Sequence, residues 1–148
     1  MNGLYLTYMI LGSACVIPLY LLGKEDRKNL SITYRQSFFA LLYFCICYIA
    51  LAFVDWQTAL LSLILGVFTM YMIKRHTNLL AEADIEVFGA LLMAVFPIAI
   101  IALLIYFLRS IYRSYINRGR RIRRVYPALY ALYTSYVVAL LVFLFLIL

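Results

Sequence analysis

Five stretches of this chain run without a charged residue: 3–22, 38–54, 58–73, 87–108 and 128–148. The hydrocarbon core of a bilayer is ~30 Å thick and takes ~20 helical residues to cross, so each stretch reads as a transmembrane helix. Only Asp55, Trp56 and Gln57 separate the second stretch from the third. Joined as one helix, 38–73 would be ~54 Å long at 1.5 Å per residue, far longer than the core. A tight hairpin resolves the excess. In it Asp55 caps the N-terminus of the second arm, and Trp56 sits at the interface, where aromatic rings anchor. Pro18 and Pro97 fall inside helices and are expected to kink them locally, while Pro127 suits the first turn of the last helix. The pattern predicts an all-α integral membrane protein. It is a polytopic helical bundle of about five transmembrane helices in a single domain over residues 1–148.

Composition strengthens this reading. Hydrophobic residues make up 68% of the 148, charged residues only 13%, and the mean hydropathy is +1.00. A water-soluble domain carries ~25% charged residues, and so small a globule could not enclose this much apolar surface. Met1 and Asn2 supply no cation, and 3–22 is too long for a cleavable signal, so a retained first helix is expected. Gly12-Ser13-Ala14-Cys15 only partly matches a lipoprotein cleavage site, because Gly12 stands where that pattern has Leu. Cys45 and Cys47 would point ~200° apart on a helix, which suits neither a disulfide nor a metal pair. With Cys15 they read as small apolar packing residues.

Charge is what makes the topology difficult. The connections carry Lys24, Arg27, Lys28 and Arg35 in 23–37, Lys74 and Arg75 in 74–86, and seven arginines in 109–127. With five crossings the first two connections share one side and the arginine connection lies opposite, six cations against seven. With four crossings, 38–73 passing only once, the division is eleven against two. Cations favour the cytoplasmic side, where each avoids ~2.3 kcal/mol per 100 mV of opposing potential. Helix length therefore favours five crossings and charge favours four. The density of the arginine connection places it in the cytoplasm, at the inner membrane of a bacterium.

That connection is also the leading candidate for function. Arg109 and Arg113 lie one helical turn apart, while Leu108, Ile111, Tyr112 and Tyr115 share another face, so the fourth helix should extend past the bilayer as an amphipathic segment ending at Asn117 and Gly119. Arg118, Arg120, Arg121, Arg123 and Arg124 follow as a dense basic turn. Such a cluster holds anionic lipid headgroups or a soluble acidic partner, and direct nucleic-acid binding is a minor alternative. His76, Glu82, Asp84 and Glu86 form a mixed set that reads as a solvated helix start rather than a cation site. Tyr126, Tyr130 and Tyr133 fit an aromatic belt. Small residues recur four apart at Ser62 and Gly66, at Ala90 and Ala94, and at Ala131, Ser135 and Ala139. They predict close helix packing, within the subunit or between copies of a homo-oligomer. No catalytic triad, metal motif or phosphate loop is present, so no enzyme, metal or cofactor is expected.

The expected function is thus a non-enzymatic membrane subunit that anchors or oligomerises and holds lipid or a soluble partner at its arginine connection. The plan is similar in architecture to the small membrane components of two-gene bacterial antiphage systems such as Kiwa, which pair a membrane protein with a soluble one. That similarity implies a role in antiviral defence. Two alternatives fit the same features. One is an immunity protein against a pore-forming bacteriocin, which this chain resembles in size and hydropathy. The other is a homo-oligomeric pore lined by residues such as Thr134 and Ser135.

Overall fold

The computed structural model describes residues 3–29, 33–76, 82–116 and 128–147. They form six helices: α1 (Gly3–Asn29), α2 (Tyr34–Val54), α3 (Trp56–His76), α4 (Glu82–Ala94), α5 (Phe96–Ile116) and α6 (Ala128–Ile147). Five helices are long and apolar enough to cross a membrane, over Gly3–Asn29, Arg35–Val54, Trp56–Arg75, Phe96–Arg113 and Ala128–Leu146. The protein is therefore an all-α polytopic helical bundle. Its large apolar side chains face outward as well as inward, with Phe53 87% and Phe145 81% exposed. Water would not tolerate so much contiguous apolar surface, but lipid does.

Local chemistry sets the helix boundaries. Thr33 opens α2 through a capping box: its hydroxyl accepts the Gln36 N–H, and the Gln36 side chain accepts the Thr33 N–H at 3.0 Å. Asp55 is the only residue between α2 and α3. Its N–H donates to the Leu51 carbonyl at 2.9 Å, closing one helix. Its carboxylate accepts the Gln57 and Thr58 N–H groups at 3.1 and 3.3 Å, opening the next. The hairpin expected around Asp55 is the one observed.

The stretch 87–108 departs from expectation. It is not one membrane-length helix with a local kink but two helices, α4 and α5, meeting at Val95. The Val95 N–H donates to the Leu91 carbonyl at 3.0 Å, and its own carbonyl accepts from Ile98 and Ala99 at 3.1 and 2.9 Å. Pro97 explains the break. Within a continuous helix it would lack the bond to the Met93 carbonyl and its ring would clash there, whereas in the first turn of α5 it costs nothing. The two helices then fold back on each other. The Phe88 and Tyr106 ring centroids are 5.7 Å apart, although a straight helix would separate these residues by ~27 Å.

Close contacts establish that α3 and α4, and likewise α1 and α6, run antiparallel. A methyl on Gly66 would stand 3.2 Å from Met93 Cγ, and one on Gly89 3.2 Å from Met70 Cγ, which pairs α4 with the second half of α3. The Tyr136 hydroxyl donates to the Gly12 carbonyl at 3.0 Å, while Gly23 lies against Tyr130, which pairs α1 with α6 along its length. Three pairs of helix ends thus gather at one end of the bundle: Asn29 with Tyr34, His76 with Glu82, and Ile116 with Ala128. Gly3, Asp55 and Ile147 lie at the other end. Val95 reaches only about halfway, level with Gly66 in the middle of α3. α4 is the most enclosed element, with Val87, Phe88, Leu91, Leu92 and Ala94 at 1% exposure or less.

Candidate cationic face

One end of this bundle carries the cations. Among the described residues, Lys24, Arg27, Lys28, Arg35, Lys74, Arg75, Arg109 and Arg113 all lie at or near the helix ends gathered there. Arg118, Arg120, Arg121, Arg123 and Arg124 lie outside the described residues, in a connection whose flanking helix ends, Ile116 and Ala128, belong to the same end. Among the described residues, the opposite end has a single charged side chain, Asp55. Its carboxyl is held below the usual range, first by the Thr58 hydroxyl, which donates at 2.6 Å, and then by the Thr58 and Gln57 N–H groups.

Aromatic rings fix several of the guanidinium groups. Arg27 lies 4.9 Å over the Tyr130 ring and donates to its hydroxyl at 3.2 Å. Arg35 lies 5.8 Å over Phe39, and Arg75 lies 6.0 Å over Tyr71, whose hydroxyl accepts from it at 3.1 Å. These pairs hold charge at the level where apolar surface gives way to headgroups.

The arginine connection is clamped at both ends. Arg109 turns inward, and its Nη1 donates to Thr134 Oγ1 at 2.6 Å, which in turn donates to the Ala131 carbonyl. Arg113, one turn later, is half-buried, while Leu108, Ile111, Tyr112 and Tyr115 are exposed on the extended part of α5. At the far side, Asp26 of α1 caps the start of α6: its Oδ2 accepts the Leu129 N–H at 2.9 Å and the Tyr130 N–H at 3.4 Å. Sequence reasoning missed Asp26. Its carboxylate sits among cations and looks like part of a charged flank, and its partners are more than 100 residues away.

No protein family, curated protein or solved structure matches this chain. Function must be argued from geometry.

The remaining candidates are placed as follows. Ser62, Ala94, Ala131, Ser135 and Ala139 are buried inside the chain, Gly66 packs on Met93 and Leu92 of α4, and Ala90 is half-buried. These small residues bring helices of one subunit together. Thr134 is engaged by Arg109, and Ser135 is buried, so neither lines an open path in the subunit. The side chains of His76 and Glu82 lie outside the described residues, while Asp84 is half-buried and Glu86 exposed. Cys47 pairs with Cys15 rather than Cys45, Sγ to Sγ at 4.0 Å across α1 and α2, both reduced and buried.

Proposed function

We propose that this chain is a non-enzymatic subunit of a bacterial inner membrane that docks a soluble, acidic-surfaced partner on its cationic face. In this reading α1, α2, α3 and α6 cross the bilayer, while α4 and α5 enter and leave through the same surface. All thirteen Lys and Arg residues then belong to the cytoplasmic side. The observation that supports the proposal is that the eight described Lys and Arg residues gather at one end of the bundle. The orientation rule acts on such asymmetry, and each cation near an anionic leaflet gains ~1 kcal/mol. Lipid headgroups satisfy the ring-stacked arginines close to the helix ends. The five arginines of 118–124 exceed what orientation requires, and their density suits a negatively charged protein surface, whose encounter they would steer. A two-component process such as antiphage defence, with one membrane and one soluble protein, would use this plan.

Two measurements test the reading. Gln57→Cys should react with an impermeant maleimide on whole cells, whereas Asn78→Cys and Arg120→Cys should react only after permeabilisation. Labelling of positions 78 and 120 from opposite sides would restore five crossings and overturn the one-sided arrangement. Replacing Arg118, Arg120, Arg121, Arg123 and Arg124 with Gln should release the partner without affecting insertion, and Lys at the same positions should retain it. Equal retention by the Gln variant at physiological salt would refute docking.

A further inference from the structure

We infer that the groove between α1 and α2 is a binding site for one glycerophospholipid of the cytoplasmic leaflet. A groove of about 590 Å³ opens there toward the membrane. Ile17 and Ile46 form its deep end, Leu21 and Phe39 its walls, and Lys24 and Gln36 its rim at the cationic end of the bundle. The volume is that of a small-molecule site, and the lining is apolar except at the rim.

Its length points to the occupant. From Ile17 to Lys24 the groove runs seven residues along α1, ~10 Å of helix. One leaflet contributes ~15 Å of hydrocarbon, half the core. With Lys24 at headgroup depth, the groove follows about two thirds of the leaflet's hydrocarbon, as the upper part of an acyl chain does. Ile17, Leu21, Phe39 and Ile46 are all exposed on the bundle's outer surface, so lipid has direct access. Pro18 lines the groove from within α1.

The rim supplies the headgroup chemistry. Lys24 is exposed there, and Arg35 is held over Phe39, a groove wall. The Gln36 carbonyl oxygen already accepts from the Thr33 N–H and hydroxyl, which leaves its NH₂ to donate. Two cations and an amide donor at phosphate depth complement a phosphodiester. Glu25, which accepts from Asn29 at 3.0 Å, adds a carboxylate at the rim that suits the ammonium of an ethanolamine headgroup. This site rests on the membrane placement of the chain and not on partner docking, and none of its residues belongs to the arginine connection.

Native mass spectrometry after reconstitution tests it, using nanodiscs of phosphatidylglycerol or of phosphatidylethanolamine. Wild type should keep one phospholipid per chain at activation energies that strip the annulus. Lys24→Glu, a change on an exposed side chain, should lower that occupancy roughly tenfold. Ile17→Trp, which narrows the groove from its lipid-facing edge, should abolish retention, whereas Leu61→Trp on the exposed face of α3 should leave it unchanged. Preference for phosphatidylethanolamine that disappears in Glu25→Gln would assign Glu25 to the ammonium. Retention unaffected by both Lys24→Glu and Ile17→Trp, or a second copy of the chain held in place of lipid, would overturn the site.

Discussion

Replacing Asp26 tests whether α1 really holds the start of α6. In Asp26→Ala the Leu129 and Tyr130 N–H groups lose their acceptor, and Leu129, 1% exposed, leaves its N–H no route to water. Loss of an N-cap costs ~1 kcal/mol, up to about 2. Stranding a buried donor costs ~1–3 kcal/mol, and the two effects overlap because they describe the same bonds. We expect about 2–3 kcal/mol in total. Asp26→Asn keeps an acceptor and removes only the favourable charge at the positive helix end, worth ~0.3–1 kcal/mol. At ~2–4 °C per kcal/mol for a chain of this size, the midpoint should fall by roughly 4–12 °C in the Ala variant and about 1–4 °C in the Asn variant. In a Cys45→Ser background, which removes the one exposed thiol among the described residues, a thiol-reactive fluorogenic dye offers the assay, because Cys15 and Cys47 are buried and become reactive only as α1 and α2 separate from their neighbours. Equal midpoints for all three proteins, or Asn as damaging as Ala, would refute the capping argument.

Further substitutions probe the same architecture. Gly23→Ala places a methyl 3.1 Å from Tyr130 Cα and 3.3 Å from Tyr133 Cβ, neighbours that cannot yield, and should cost ~1–3 kcal/mol in the dye assay. Gly12→Ala meets the flexible tips of two side chains, Ile98 Cδ1 and Leu140 Cδ1, and should cost less; the reverse order would contradict the α1–α6 packing described. Asp55 has its carboxyl pKa lowered in the folded state, so its contribution is fully present above the ordinary carboxylate value and is lost as pH falls through the lower folded value. The midpoint difference between wild type and Asp55→Asn should therefore shrink as pH drops from about 6 towards 3, and Thr58→Ala should shift that decline to higher pH. Arg109→Gln, which loses a charge-assisted bond to Thr134, should destabilise by ~1–2 kcal/mol, while Arg120→Gln should leave the midpoint within ~0.5 kcal/mol.

What the sequence reveals depends on how local the cause is. The Asp55 hairpin is legible because two apolar runs of near-membrane length leave one acidic residue to do the capping. The Val95 turn is not, because 87–108 is unbroken in hydropathy and Pro97 alone is compatible with either a kink or a fold-back. What decides between them is tertiary. α4 can pack against α2 and α3 over its whole length because Gly66 and Gly89 allow Met93 and Met70 to approach. Charge carried the missing information in another form. An uneven cation count favoured an even number of passages, but the sequence offered 38–73 as the place for the irregularity. The structure keeps that hairpin intact and folds back the next one.

The small-residue faces show the opposite limit. Ser62, Gly66, Ala131, Ser135 and Ala139 are easy to find by spacing, but spacing does not say which surface they meet. Here they meet other helices of the same chain, and Asp26 and Arg109 then fasten those helices at the cationic end. Both anchors of 117–127 are thereby fixed in place, one through Thr134 and one through the first turn of α6. A basic segment on a free terminus would pay the full ordering cost on meeting a partner. One tethered at both ends starts with fewer conformations to lose, and more of its electrostatic attraction appears as affinity. Under the proposed function, the same clamp couples docking to capping in one direction only. Asp26→Ala should weaken retention of the proposed partner while every arginine remains, whereas the Gln variants should release it with the midpoint unchanged.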